Sequence, residues 1–212
     1  MTRRVWMLLI MVAGVAGCTP TYRVHVNTFS ELKEPLTRGT AIYVAVDPNS
    51  PNPILAERMA AEIRTILPNL GYGAAEEPKA ARYTLTFRTG VNSSSYVDYL
   101  PVARPFGGFY GRYGGFYRGF GFGYNTYVPY VETAYTHWLE ERLYGQDDIL
   151  KGKNQPLWIG EAAVGTDEPE LRRAVNYLLV GLMDYLGTET EHWVTVKLKA
   201  DDPRVLALAE GR

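Results

Sequence analysis

His137, followed by Trp138, Glu140 and Glu141, is the residue best suited by type and spacing to acid–base chemistry, because an imidazole beside carboxylates can move a proton near neutral pH. The two other histidines, His25 and His192, approach it only if their strands pair with its own. A solitary strand histidine is more often a hydrogen-bonded cross-strand partner than a base, and no nucleophile accompanies this one. Ser93-Ser94-Ser95 reads as a loop run without the glycines of a nucleophile elbow. Gly119-x-Gly121-x-Gly123 follows no strand and lacks the third glycine of a dinucleotide fingerprint. Gly152-Lys153 is followed by Asn154, and Asp147 stands where a phosphate loop needs its first glycine. Asp147-Asp148 reads as a turn, since the alternating oxygen ligands and distal Glu of a calcium loop are missing. One cysteine and three histidines give poor material for a four-ligand zinc site. The residues therefore call for no enzyme, metal or cofactor, with an envelope hydrolase built around His137 kept as the alternative.

The lone thiol belongs to a different chemistry. Met1-Thr2-Arg3-Arg4 supplies positive charge, Val5 to Gly17 is an apolar run, and the chain turns polar after Cys18. This is the layout of a secretory signal. As a helix the run reaches roughly 20 Å, short of the ~30 Å hydrocarbon core a permanent span must cross. Val15-Ala16-Gly17-Cys18 resembles the lipobox of bacterial lipoproteins, which implies that residues 1–17 are a signal peptide and that Cys18 carries a triacylated anchor. Thr19, rather than Asp, after the cysteine resembles the sorting default for the outer membrane, so a lipid-anchored protein on its periplasmic side is expected. Lys plus Arg (22) nearly balance Asp plus Glu (23), which argues against nucleic acid as a partner.

Phe106 to Tyr124 consists of eight Gly, nine Phe or Tyr and two Arg, and contains a seven-residue near repeat. A helix there would lose about 6 to 8 kcal/mol to its glycines. The rings of Phe109, Tyr110, Tyr113, Phe116, Tyr117 and Phe120 make it a candidate contact arm, toward the lipid interface, an envelope glycan or a partner protein. The plain reading is a repeat-expanded hairpin loop.

These residues need a scaffold, and residues 18–200 have the pattern of one α+β domain. Tyr22, Val24 and Val26 alternate as a strand that begins almost at the anchor. Further strands are expected at Thr40 to Asp47, at Tyr83, Leu85 and Phe87, at Val131 to Tyr144, at Leu157 to Val164, and briefly at Val194, Val196 and Leu198. Asn52-Pro53 opens a helix with Leu55, Met59, Ile63, Ile66 and Leu70 on one face, and Glu168-Pro169-Glu170 opens a second behind an Asp167 or Thr166 cap. The expected fold is a mixed or largely antiparallel sheet of five to six strands with two helices packed on one face, one long Gly/aromatic loop at 106–124, and a polar or partly helical tail at 201–212. The lipobox, the early strand, the Gly/Tyr-rich insertion, Leu157-Trp158-Ile159-Gly160 and the Ala174-Val175 helix together resemble a family of Gram-negative envelope lipoproteins, a domain of unknown function. That resemblance implies an envelope-facing α+β domain and brings no catalytic residues. The resulting expectation is a non-catalytic binding or assembly module of the envelope, touching membrane, protein or glycan through the arm.

Overall fold

The computed structural model describes residues 19–103, 125–150 and 152–210. Along the chain run β1 (Thr21–Ser30), β2 (Ala41–Ala45), α1 (Pro53–Asn69), β3 (Gly73–Ala75), β4 (Tyr83–Ala103), β5 (Asn125–Gly145), α2 (Gln146–Leu150), β6 (Trp158–Thr166), α3 (Leu171–Met183), β7 (Val194–Lys199) and α4 (Pro203–Glu210). The strands form one sheet in the order β3-β2-β4-β5-β6-β1-β7. β2 is parallel to β3 and β4, and every other pair is antiparallel.

Alternation decides which face is covered. Val24 and Val26, Ile42 and Val44, Leu85 and Phe87, Leu139 and Leu143, and Ala162 and Val164 all point into one core. Against them lie Met59, Ile63 and Leu67 of α1 and Leu178, Leu179 and Leu182 of α3. α1 begins as its residues dictate: Pro53 takes the first turn, where its missing N–H costs nothing, and the Asn52 side chain accepts from the Leu55 N–H at 3.1 Å. No helix among the described residues is long and apolar enough to cross a membrane, which leaves strands untested in that role.

The expected count of five to six strands and two helices is corrected to seven strands and four helices among the described residues; the class remains α+β. β3 escaped notice because Gly73-Ala74-Ala75 has no large residue to alternate and pairs through its backbone alone. α2 is five residues long, too short to show a helical period, and fills the place expected for a turn. α4 buries only Val205 and Leu208. α3 starts at Leu171 with Glu170 at its N-cap and no side-chain cap, so the expected Asp167 or Thr166 cap is corrected: both residues precede the cap position, and the Thr166 hydroxyl donates to the Glu168 carbonyl (2.7 Å). β4 and β5 each run 21 residues, so Ser93-Ser94-Ser95 lies in a strand and not in a loop.

Trp158 shows how closely the layers meet. Its buried indole donates to the Thr188 carbonyl at 2.8 Å and lies over Gly160, where an added Cβ would come within 2.3 Å of the ring and 2.8 Å of Leu182. Neither neighbour can withdraw from a packed core. Gly160→Ala should therefore cost about 1 to 3 kcal/mol, lowering the melting temperature by roughly 3 to 10 °C; an unchanged melting curve would show that the ring moves freely.

Candidate functional site

The ladder of residue partners fixes which parts of the molecule share an end. Val24 pairs with Val164, Val164 with His137, and His137 with Val91. Along β4 and β5, β2 reaches only to Thr86 and β6 only to Tyr135. From Ser94–Ala134 outward to Ala103–Asn125, β4 and β5 have no other strand beside them among the described residues and form a two-stranded ribbon. Ten such rows span about 34 Å. Thr21, three residues before Val24, stands at the same end of the sheet as the foot of this ribbon. β2 runs toward that end and α1 starts beyond it, and α3 starts there after Thr166.

Exposed apolar groups gather at this end. Val97 and Val131 face each other across the ribbon, 56% and 69% exposed, with Tyr96 beside them, while Val91 lies six rows nearer the sheet and Ile54 on the first turn of α1. At the foot of the ribbon, on the open edge of β4, lies a groove of about 490 Å³ lined by Leu55, Met59, Phe87, Val91, Trp138 and Leu171. The Trp138 ring reaches it by passing over Gly90, where a Cβ would sit 2.7 Å from the indole. Arg88, with Asp47 at 4.0 Å, forms a charged lip. The groove suits an aliphatic group with a polar end at the lip. A second, more polar groove of about 540 Å³ flanks the start of β1 between Tyr22, Arg23 and the Arg173–Glu168 ion pair (3.0 Å).

His137 is fully buried on the core face of β5. The Thr166 proton is committed to the Glu168 carbonyl, so His137 Nε2 is the donor to both the Thr166 hydroxyl (2.9 Å) and that carbonyl (3.0 Å). Nδ1 meets no polar partner among the described residues. The Glu168 carboxylate goes to Arg173. His25 projects to the opposite face of the sheet and bonds Thr195 at 3.1 Å, and His192 lies exposed in the loop before β7. The three histidines do not converge. No group of three His, Cys, Asp or Glu side chains among the described residues is arranged for a metal.

Glu141, expected only as one of the carboxylates near His137, is fully buried. It shares the core face of β5 with His137, Leu139 and Leu143, opposite Phe87 and Gly160, and neither carboxyl oxygen has a hydrogen-bond partner among the described residues. Burial without a partner pushes its pKa up to about 8, so the carboxyl is neutral at pH 7. Period two along β5 places residue 141 inside, which was the available signal. Cys18 and the rings of Phe109, Tyr110, Tyr113, Phe116, Tyr117 and Phe120 lie outside the described residues. Of the expected arm, the structure describes the two strands that lead to it.

No family model matches the chain, and no curated protein matches it in sequence. Among solved structures it is similar to the PelC dodecamer from Paraburkholderia phytofirmans, with TM-score 0.42 and 12% identity over 79% of this chain and 99% of that one. It is also similar to a PDZ domain protein from Parabacteroides distasonis, with TM-score 0.42 and 16% identity over 84% of this chain and 39% of that one. Likeness at this level carries nothing about function.

The buried acid makes stability depend on pH in a definite direction. Below about pH 4.5 the carboxyl is protonated in both states; as pH rises toward 8 the unfolded chain releases a proton the folded chain keeps, so stability is lost across that window and levels off above it. The total is on the order of 4 to 5 kcal/mol. Chemical denaturation of Glu141→Gln from pH 4 to 8.5 should give a stability curve that gains on the parent's with rising pH; parallel curves would contradict the assignment.

Proposed function

We propose that the protein is a non-catalytic lipoprotein on the periplasmic side of the outer membrane, anchored through Cys18 and touching the lipid interface with its β4–β5 ribbon and the Gly/aromatic segment the ribbon carries. The observation that supports this most directly is the shared end. Thr21 lies level with Ser94 and Ala134 at the foot of the ribbon. Cys18 stands three residues earlier and so lies no more than about 11 Å away. At full reach the anchor comes level with Val97 and Val131, the exposed apolar pair. Six more rows of ribbon lie beyond that level, roughly 20 Å.

The two lengths constrain the geometry together. If the strands stand toward the membrane, the outer ribbon enters the interface; if the sheet tilts, the ribbon lies along it. In either posture the nine rings between Phe106 and Tyr124 are brought to the zone where amphipathic aromatic side chains are favoured.

Cys18→Ser should release the protein from membranes or leave an uncleaved precursor, and a membrane-bound form of normal mature mass would overturn the anchor. Replacing residues 106–124 by a short Gly-Ser turn should leave the melting temperature nearly unchanged. The same replacement should weaken binding to phosphatidylethanolamine–phosphatidylglycerol vesicles, measured by flotation. Undiminished binding at undiminished stability would reduce the segment to a plain loop.

A further inference from the structure

The apolar groove beside β4 does not end at its charged lip. Asp47, Phe87 and Arg88 also border a second cavity of about 480 Å³, lined further by Glu140, Arg142 and Tyr144 on the sheet face opposite α1 and α3. The two cavities meet at these shared residues and make one trough with an apolar half and a charged half. Leu55, Met59, Val91 and Leu171 bound the apolar half, and Trp138 closes it with its ring held against Gly90. In the charged half Arg142 is fixed by Glu140 at 2.8 Å. Arg88, at the junction, is held loosely: its side chain is 68% exposed and its carboxylate partner, Asp47, stands 4.0 Å away, beyond hydrogen-bond length.

We infer that this trough binds a zwitterionic phospholipid with a single acyl chain, the chain in the apolar half and the phosphate and ammonium among Arg88, Asp47 and the Arg142–Glu140 pair. Three observations select that occupant. The apolar half, about 490 Å³, falls in the lower part of the range of ligand pockets and suits one chain rather than two. Its walls are mostly aliphatic side chains, which suit a methylene chain better than a sugar ring. The charged half carries two guanidinium groups and two carboxylates, so it matches a head of both signs. An anion that draws Arg88 to itself leaves Asp47 without its cation, and an ammonium on the same molecule replaces it. A fatty acid supplies only the first of these charges. The assignment rests on the trough and holds whether or not the ribbon touches a membrane.

The test is photolabelling of the full-length chain mixed with phosphatidylcholine vesicles, using lysophosphatidylethanolamine with a diazirine at the end of its acyl chain and mapping the adducts by mass spectrometry. Labels should fall on Leu55, Met59, Val91 and Leu171. Val91 is 42% exposed, so the fold should tolerate Val91→Glu, which puts a charge in the apolar half. That variant should lose about tenfold in labelling there. Arg88→Ala should lose about as much, roughly tenfold, through the missing charge-assisted hydrogen bond. Asp47→Asn keeps the acceptor for the Asn49 N–H (2.9 Å) and removes only the charge. Against the parent chain, unlabelled lysophosphatidylethanolamine should displace the probe better than dodecyl phosphate, which has no ammonium. In Asp47→Asn that order should reverse. Labels confined to the ribbon and to residues 19–21 would overturn the trough while leaving the ribbon's membrane contact standing. Equal displacement of the probe by both competitors in the parent chain would overturn the zwitterionic head.

Discussion

The register between β4 and β5 is the constraint on which the rest of the molecule depends. It runs from Tyr83–Gly145 to Ala103–Asn125 without a bulge, so one alternation governs both the core rows and the ribbon. A slip of one residue would leave Leu85 and Phe87 facing the core while turning Leu139 and Leu143 to the wet face, so the two strands could no longer share one core. α1 and α3 pack on what that register presents, and β6, β1 and β7 extend it on the other side.

Glu141 is a consequence of the same constraint. With Leu139 and Leu143 required inside, residue 141 has no outward choice, and the chain carries a carboxylic acid there without a partner. The fold tolerates it by keeping the proton. His137 is handled otherwise, its Nε2–H being spent on Thr166 and Glu168 at the turn into α3. That turn is thereby tied to β5, and the hydroxyl expected to cap the helix serves the histidine instead.

Much of this is written locally. Asn52-Pro53 and the apolar steps after it specify α1, and the paired valines of β1 specify their face. Trp158-x-Gly160 specifies a close approach once the ring is known to lie over the glycine. Other features have no local signature. β3 consists of backbone pairing by three small residues, and the Ser-rich part of β4 is polar on both faces because no layer covers either. Cys18 is singled out by residue type alone, whereas the level that Thr21 shares with the foot of the ribbon depends on β6 lying between β5 and β1, a relation of strand order that no window of sequence encodes.

Continuity of β4 and β5 also gives one pair of strands two kinds of stability. Near Leu85 and Leu143 their amides are locked by neighbouring strands and by the helices, so opening there means unfolding the domain. Past Tyr135 each amide is held by a single partner strand, and the ribbon can part from its outer end inward, row by row, until the third strand stops it at Thr166. Hydrogen exchange along a single strand would then fall from solvent-like rates to those of global opening within a few residues, a gradient internal to one element rather than a difference between elements. The chain can thus reshape the part that meets its surroundings while the sheet beneath keeps its register.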